Sequence, residues 1–224
     1  MATAILAFSG GLASTALLWE LRSLGHCVHC VFVDYGQANL RKEMPAAEQL
    51  AGRANQRRKE GQEVDFSCLA MAGLGPSPLP THGVVRRHDF EFFGLQVLAM
   101  AAGKALATEG EILACGTHVE NTVPGFEAQF ANLLALLNRG KLGFFAPFTE
   151  RNAGWIVSHA TQLGAPLTES WSCLLAGAIH CGTCRGCRAR QKGFALAGIP
   201  DFTLYTVPVP REILPFVRRP GGTA

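Results

Sequence analysis

The chain has 224 residues, 48% of them hydrophobic and 17% charged, which is enough to bury a full core in one domain with at most a small appendage. Its formal charge of +3 suits anionic small molecules and makes no case for a nucleic-acid surface. Met1-Ala2-Thr3 lacks the basic start of a signal peptide and no apolar run reaches the length of a membrane span, so the expected location is cytoplasmic, where a tight cluster among the eight cysteines points to metal.

The apolar run Thr3–Phe8 predicts a buried strand that enters Phe8-Ser9-Gly10-Gly11-Leu12-Ala13-Ser14-Thr15 and then a helical pattern from Ala16. Gly10 and Gly11 let the backbone turn sharply and bring its N–H groups close to a ligand. The hydroxyls of Ser9, Ser14 and Thr15 stand beside the first turn of the helix, whose unpaired N–H groups and positive dipole end attract an anion. This makes a phosphate cradle. The spacing is neither the long glycine loop with a lysine nor the three-glycine dinucleotide fingerprint. The same turn also serves as a plain strand-to-helix connection.

Cys27–Val33 reads as a second buried strand ending at Asp34-Tyr35-Gly36-Gln37. Cys27 and Cys30 form a CxxC, but residues three apart in a strand face opposite ways, so core packing is expected there rather than ligation. Asp34 either closes a turn or joins a site beyond the carboxyl ends of the strands. A helix over Leu40–Gly52 follows, then a charged span in which Arg53, Arg57, Arg58 and Lys59 make a solvated face. Val64–Leu69 is a third strand, with Cys68 as a core thiol. The Gly- and Pro-rich stretch from Met71 to Gly83 suits a lid or binding loop. It leads to Arg86, Arg87 and His88 at the start of an apolar helix from about Phe90 to Thr108. These side chains suit a carboxylate or phosphate, or are simply an exposed helix start.

Glu111–Cys115 is a fourth, parallel strand ending in Gly116-Thr117-His118, with Glu120 just beyond. Thr117, His118 and Glu120 can line a pocket for a heterocycle, the carboxylate accepting from a guanine-like N–H pair; His118 reads equally as an ordinary polar residue. The helix from about Gly125 to Asn138 carries Phe126, Phe130, Leu133, Leu134 and Leu137 on a core stripe. Phe144–Phe148 supplies a short fifth strand, and Arg151 opens another helix. The pattern predicts an α/β fold, a doubly wound and mostly parallel five-stranded sheet with a C-terminal metal-binding segment.

Cys173, Cys181, Cys184 and Cys187 are the strongest local signal. A CxxCxxC run with a fourth thiol eight positions earlier can wrap a tetrahedral ion. Four thiolates at about 2.3 Å suit a structural zinc, because closing all four positions leaves no place for substrate. An iron–sulfur cluster is the rival, since CxxCxxC also opens ferredoxin motifs; the glycine knuckle and the remote first cysteine favour zinc.

The opening loop resembles the SGGxDS pyrophosphate loop of the ATP-pyrophosphatase superfamily, with Ala13 where that motif carries Asp. The DYGQ run at residues 34–37 matches its deazaguanine branch. Glu169-Ser170-Trp171-Ser172-Cys173, the CxxCxxC run, Arg190, Phe194 and Asp201 are similar to the C-terminal signature of the 7-cyano-7-deazaguanine synthase family. Together these motifs span about residues 3 to 201. The resemblance implies an adenine nucleotide alpha hydrolase-like fold over 1–168 and a zinc segment over 169–201; the Pro-rich tail over 202–224 lies outside the resemblance. It implies ATP with Mg2+ at Phe8–Thr15 (Phe8, Ser9, Gly10, Gly11, Leu12, Ala13, Ser14 and Thr15) and at Asp34, Tyr35, Gly36 and Gln37. Arg87 and Arg151 are then catalytic, on phosphate or carboxylate charge, with Arg151 where the family has a lysine. Arg86, His88, Gly116, Thr117, His118, Glu120, Phe126 and Glu127 fall on the substrate side, and Gly125-Phe126-Glu127-Ala128 replaces the family's acidic recognition segment. The implied reaction adenylates the carboxylate of 7-carboxy-7-deazaguanine and passes the acyl group to ammonia, giving an amide and then, with a second ATP, a nitrile. Two other readings stand beside it. One is a relative that conjugates the acyl group to a protein amine in a bacterial defence system; the other is a silent nucleotide-binding homologue, for which Ala13 speaks. A homodimer is expected through the likeness alone.

Overall fold

The computed structural model describes residues 1–57, 59–71, 87–120, 124–138 and 140–207; of residues 87–93 and 138 only the backbone is described. Five strands, β1 (Thr3–Ala7), β2 (Cys27–Asp34), β3 (Val64–Ala70), β4 (Ile112–Cys115) and β5 (Gly143–Phe145), form one sheet in the order β3-β2-β1-β4-β5. Every pairing is parallel, so the sheet is wholly rather than mostly parallel. The helices are α1 (Leu12–Ser23), α2 (Leu40–Gln56), α3 (Arg87–Ala107), α4 (Phe126–Asn138), α5 (Ala153–Gln162) and α6 (Arg185–Ala197).

Alternation along the strands divides the core into two layers, as the two-residue period requires. Ala4, Leu6, Cys30, Phe32 and Ala114 face one way, under Leu17 and Leu18 of α1, Leu50 of α2, Ile156 of α5 and Phe194 of α6. Ile5, Val31, Val33, Leu113 and Cys115 face the other way, under Leu98 of α3 and Phe130 and Leu134 of α4. Cys30 is fully buried, while Cys27 donates its thiol hydrogen to the Gly61 carbonyl at 3.0 Å, so the CxxC separates as expected for a strand. None of the helices, among the described residues, is long and apolar enough to cross a membrane.

Several boundaries and faces differ from the sequence expectation. Helix α2 runs one turn past Gly52, because the charged span still offers good helix formers that cost nothing on a solvated face. Strand β5 ends at Phe145, and Phe148, expected in that strand, packs into the α1–α5 layer from the following turn. Cys68 is exposed on the edge strand β3 instead of lying in the core. On α4 only part of the predicted stripe is inside: Phe130 and Leu134 are buried, but Leu133 is 51% and Leu137 73% exposed, beside Leu136 at 80%. The helix has apolar residues around most of its circumference, so periodicity alone does not choose the inward face.

Neighbours of β1 on either side are reached in opposite directions, β2 one way and β4 the other. In an open parallel sheet that reversal leaves a crevice beyond the carboxyl ends of the strands, where ligands bind.

Candidate active site and metal centre

A cavity of about 410 Å3 occupies that crevice. Its floor is the ends of β1, β2 and β4: Ala7, Val33 and Cys115 are all on the wall. Phe8, Ser9, Gly11, Leu12, Ala13 and Ser14 bring the glycine turn to it. Tyr35 and Gln37 come from the turn after β2, and Gly116, Thr117, His118 and Glu120 from the segment after β4, with Phe126 from α4.

The turn is held open by its own polar groups. Ser9 Oγ accepts from Gly11 N at 3.3 Å and lies 3.3 Å from Ser14 Oγ, which in turn is 3.3 Å from the Gly11 carbonyl. Gly10 has φ +70°, and a Cβ there would stand 2.8 Å from Ala47 Cα on α2. The left-handed conformation costs a side chain about 1–2 kcal/mol, and here backbone blocks it as well. Gly10→Ala should therefore lower the thermal midpoint by about 5 °C or more and weaken nucleotide binding about tenfold, read by calorimetry on the same sample. An unchanged midpoint with unchanged affinity would show that the turn relaxes freely.

Not all of the predicted phosphate residues reach the wall. Thr15 is fully buried and its hydroxyl meets no partner among the described residues, because one step along the helix from Ser14 turns it by about 100° into the core. Gly10 stands behind the wall, its carbonyl accepting from Trp171 N at 3.0 Å. Asp34 closes a turn, accepting from Gly36 N at 2.9 Å, and neither residue is on the wall. Glu127 lies off the wall on the first turn of α4. Arg151 is exposed, its guanidinium 4.8 Å over the Trp155 ring and away from the cavity. Arg86 lies outside the described residues, and of Arg87 and His88 only the backbone, at the start of α3, is described.

Glu120 is heavily engaged. Its Oε2 caps α5 by accepting from Ala153 N at 3.0 Å and lies 3.1 Å from His118 Nδ1, while Lys192 Nζ is 3.2 Å from Oε1. Arg185 Nη2 donates to the Glu120 carbonyl at 2.7 Å, which fastens α6 to the segment after β4. Burial holds His118 below the ordinary imidazole range despite the neighbouring Glu120.

The far side of the cavity is built by the cysteine segment, a contribution that sequence reasoning missed: Trp171, Ser172, Leu174, Arg185, Gly186 and Arg190 line it. The four thiols of Cys173, Cys181, Cys184 and Cys187 lie within 4.8 Å of one another, and Cys181 Sγ is 3.8 Å from Cys187 Sγ. Their loops are closed by N–H donors. Cys181 N donates to Cys173 Sγ at 3.4 Å, Cys184 N to Cys181 Sγ at 3.2 Å, and Cys187 N to Cys184 Sγ at 3.4 Å. The thiols of Cys173 and Cys187, with two backbone N–H groups, pull Cys184 far below the ordinary thiol range. Gly186 is required by packing, since a Cβ would lie 1.9 Å from the Ser172 carbonyl oxygen. Two bonds tie this segment to the nucleotide side: Asn39 Nδ2 donates to the Cys173 carbonyl at 2.8 Å and Trp171 N to the Gly10 carbonyl at 3.0 Å, while Trp171 Nε1 donates to the Cys173 carbonyl within the segment at 2.8 Å.

The model of the queuosine biosynthesis protein QueC family matches residues 3–89 and 90–198. A 7-cyano-7-deazaguanine synthase of Methanothrix thermoacetophila is 31% identical over 231 residues, which cover 92% of this chain and 99% of that protein. This chain belongs to the QueC family. A second family relative, the 7-cyano-7-deazaguanine synthase of Rhizobium etli, is 28% identical over 90% of this chain and 91% of its own length. Among solved structures, the U34-tRNA thiolase NcsA from Methanococcus maripaludis, with its 4Fe-4S cluster, superposes with a TM-score of 0.53 at 13% identity. It covers 74% of this QueC-family chain and 58% of its own, a likeness of fold.

Proposed function

We propose that this chain is an ATP-dependent ligase that splits ATP into AMP and pyrophosphate, adenylating the carboxylate of 7-carboxy-7-deazaguanine and transferring the acyl group to ammonia, first to the amide and then to the nitrile. The observation that carries the reading is the seating of the SGG turn at the mouth of the switch-point cavity in a QueC-family chain. The backbone N–H groups of the turn and the first turn of α1 are fixed donors aimed where pyrophosphate charge develops. Ser9, Gly11, Leu12, Ala13 and Ser14 hold the phosphates, and Tyr35 and Gln37 flank the nucleotide. Thr117, His118 and Phe126 are on the heterocycle side. With Glu120 spent on Ala153 and Lys192, its carboxylate serves to place that segment rather than to read a base.

Magnesium enters as the counter-ion of the nucleotide; position 13 offers it no carboxylate, and no protein ligand is assigned to it. Zinc fits the four cysteines. Four ligands at about 2.3 Å around a tetrahedral ion stand about 3.8 Å apart, the separation of the Cys181 and Cys187 sulfurs. An iron–sulfur cluster sets several irons and sulfides between its thiolates, so thiols lying within 4.8 Å of one another favour a single ion over a cluster. Zinc would act only on structure, holding the far wall of the cavity. A homodimer and a small-molecule substrate are carried over from the family.

Pyrophosphate release from the chain as it stands, and from Ala13→Asp, tests the reading with ammonia and with amine acceptors. Restoring the carboxylate should raise release about 100-fold, the worth of one well-placed group in a site where charge develops. Release with a peptide amine but not with ammonia would favour the conjugating relative. Absence of both ATP binding and pyrophosphate release from Ala13→Asp would refute the ligase.

A further inference from the structure

Glu43 stands on the first turn of α2, directly after the turn that carries Tyr35 and Gln37, and its half-buried side chain forms part of the cavity wall. Gln37 Nε2 donates to Glu43 Oε2 at 3.1 Å and to the Val33 carbonyl at 3.3 Å, while Gln37 Oε1 accepts from Tyr35 N at 3.0 Å. Backbone groups at both ends of the buried Gln37 amide thus fix which way it faces, and the face turned to Glu43 is a neutral donor. The other carboxylate of the wall, Glu120, is bound by Lys192 and by the start of α5; among the described residues no ion pair reaches Glu43. Tyr35 faces it from the end of β2, and the cations of the same wall are Arg185 and Arg190 on α6.

We propose that Glu43 accepts the proton given up by the amine when the acyl-adenylate is aminolysed. The inference rests on the ligase reading above. The nitrogen lone pair attacks the carbonyl carbon, forming the C–N bond. One N–H proton passes to the Glu43 carboxylate, and the bond from that carbon to the AMP oxygen breaks with its electron pair leaving on AMP. Without an acceptor, the nitrogen keeps its positive charge and is itself expelled. Burial pushes Glu43 up to about 7 against the opposing hydrogen bonds of Gln37 and Asn39, so the group exchanges a proton near neutral pH, where a general base is most effective.

The test is Glu43→Gln, made in the chain as it stands and in Ala13→Asp, with adenylation and aminolysis read separately. Exchange of labelled pyrophosphate into ATP, dependent on the carboxylate substrate, should fall by less than about threefold. Amide formation from ammonia should fall about 100-fold, and the limb of its pH profile near neutrality should vanish. Hydroxylamine, whose attached nitrogen sheds its proton readily to water, should lose less than about tenfold. In carbon-13 spectra of glutamate-labelled protein, the resonance missing from Glu43→Gln should titrate with a midpoint near 7. Full amide formation in Glu43→Gln, equal losses for both steps and both amines, or a midpoint in the ordinary carboxyl range would each overturn the assignment. Absence of exchange from both parent chains would instead refute the ligase reading, and Glu43 as its base with it.

Discussion

Removing the metal from the cysteine segment is expected to lower the thermal midpoint by about 10 °C or more and to weaken nucleotide binding in the same titration. Four thiolates crowded within 4.8 Å repel one another unless a cation or protons lie between them. Structural zinc commonly supplies about 10–16 kcal/mol of apparent binding energy that is at once folding energy, and a domain of this size shifts by about 2–4 °C per kcal/mol. The effect should spread to the phosphate turn because Trp171 N holds the Gly10 carbonyl, and Asn39 holds the Cys173 carbonyl. Cys184→Ser should reproduce the loss, since that thiol accepts from Leu174 N and Cys187 N and caps α6. A metal assay that finds no ion, together with a midpoint indifferent to chelator, would sink the structural-zinc assignment.

The second large effect is expected at Arg190, which is 0% exposed. Its guanidinium joins three pieces of chain. Nε donates to Thr203 Oγ1 at 2.6 Å and lies 3.5 Å from Asp201 Oδ1; Nη1 donates to Ser170 Oγ at 2.7 Å, and Nη2 to the Leu167 carbonyl at 2.7 Å. The plane also packs over Phe194, with 5.1 Å between Cζ and the ring centre. Arg190→Met keeps the stem and removes the fork, taking a charged donor from the buried Leu167 and Ser170 carbonyls and leaving Asp201 without its cation. The expected cost is about 3–5 kcal/mol by chemical denaturation. Arg190→Lys should recover little, because a point ammonium cannot span the same acceptors. Retention of full stability by Arg190→Met would show that water replaces the fork.

The same cluster sets an acid dependence. Burial alone would raise Asp201, but the hydroxyls of Thr203 and Tyr205 and the charge of Arg190 more than offset it and hold the carboxyl below its usual value of 3.8. Its folded value is depressed, so its stabilising contribution is complete above the unfolded value and is lost as pH falls through the folded one. Asp201→Asn should flatten the stability profile below about pH 4 and leave its shape near neutrality unchanged; a profile that still falls as steeply would assign the acid loss elsewhere.

Much of this fold is legible in the sequence because its signals are local. The strands are continuous apolar runs between glycine turns, and the order of the motifs places β1, the SGG turn and α1 without any long-range information. The cysteine spacing is legible for the same reason: three of the four thiols lie within one turn and the start of one helix. What sequence does not disclose is which distant segments close the cavity. Nothing near Trp171 or Arg185 announces that they face the end of β1, and Glu43 reads as an ordinary early-helix acid until Gln37 is seen against it. Thr15 shows the converse, a hydroxyl in the right stretch that the helical turn carries inside. Periodicity places Leu133 and Leu137 inward, whereas they lie outward, because only the packed sheet decides which of two apolar faces it takes. Arg151 sits in the right order along the chain, but its charge is drawn onto Trp155.

The bond from Trp171 to Gly10 joins a turn made early in translation to a segment made late. A ribosome-bound chain that has already made its first strands still lacks the clamp on its phosphate turn until Trp171 has emerged. A chain that ends before Trp171 holds all five strands of the sheet but lacks both the donor to the Gly10 carbonyl and the far wall of the cavity.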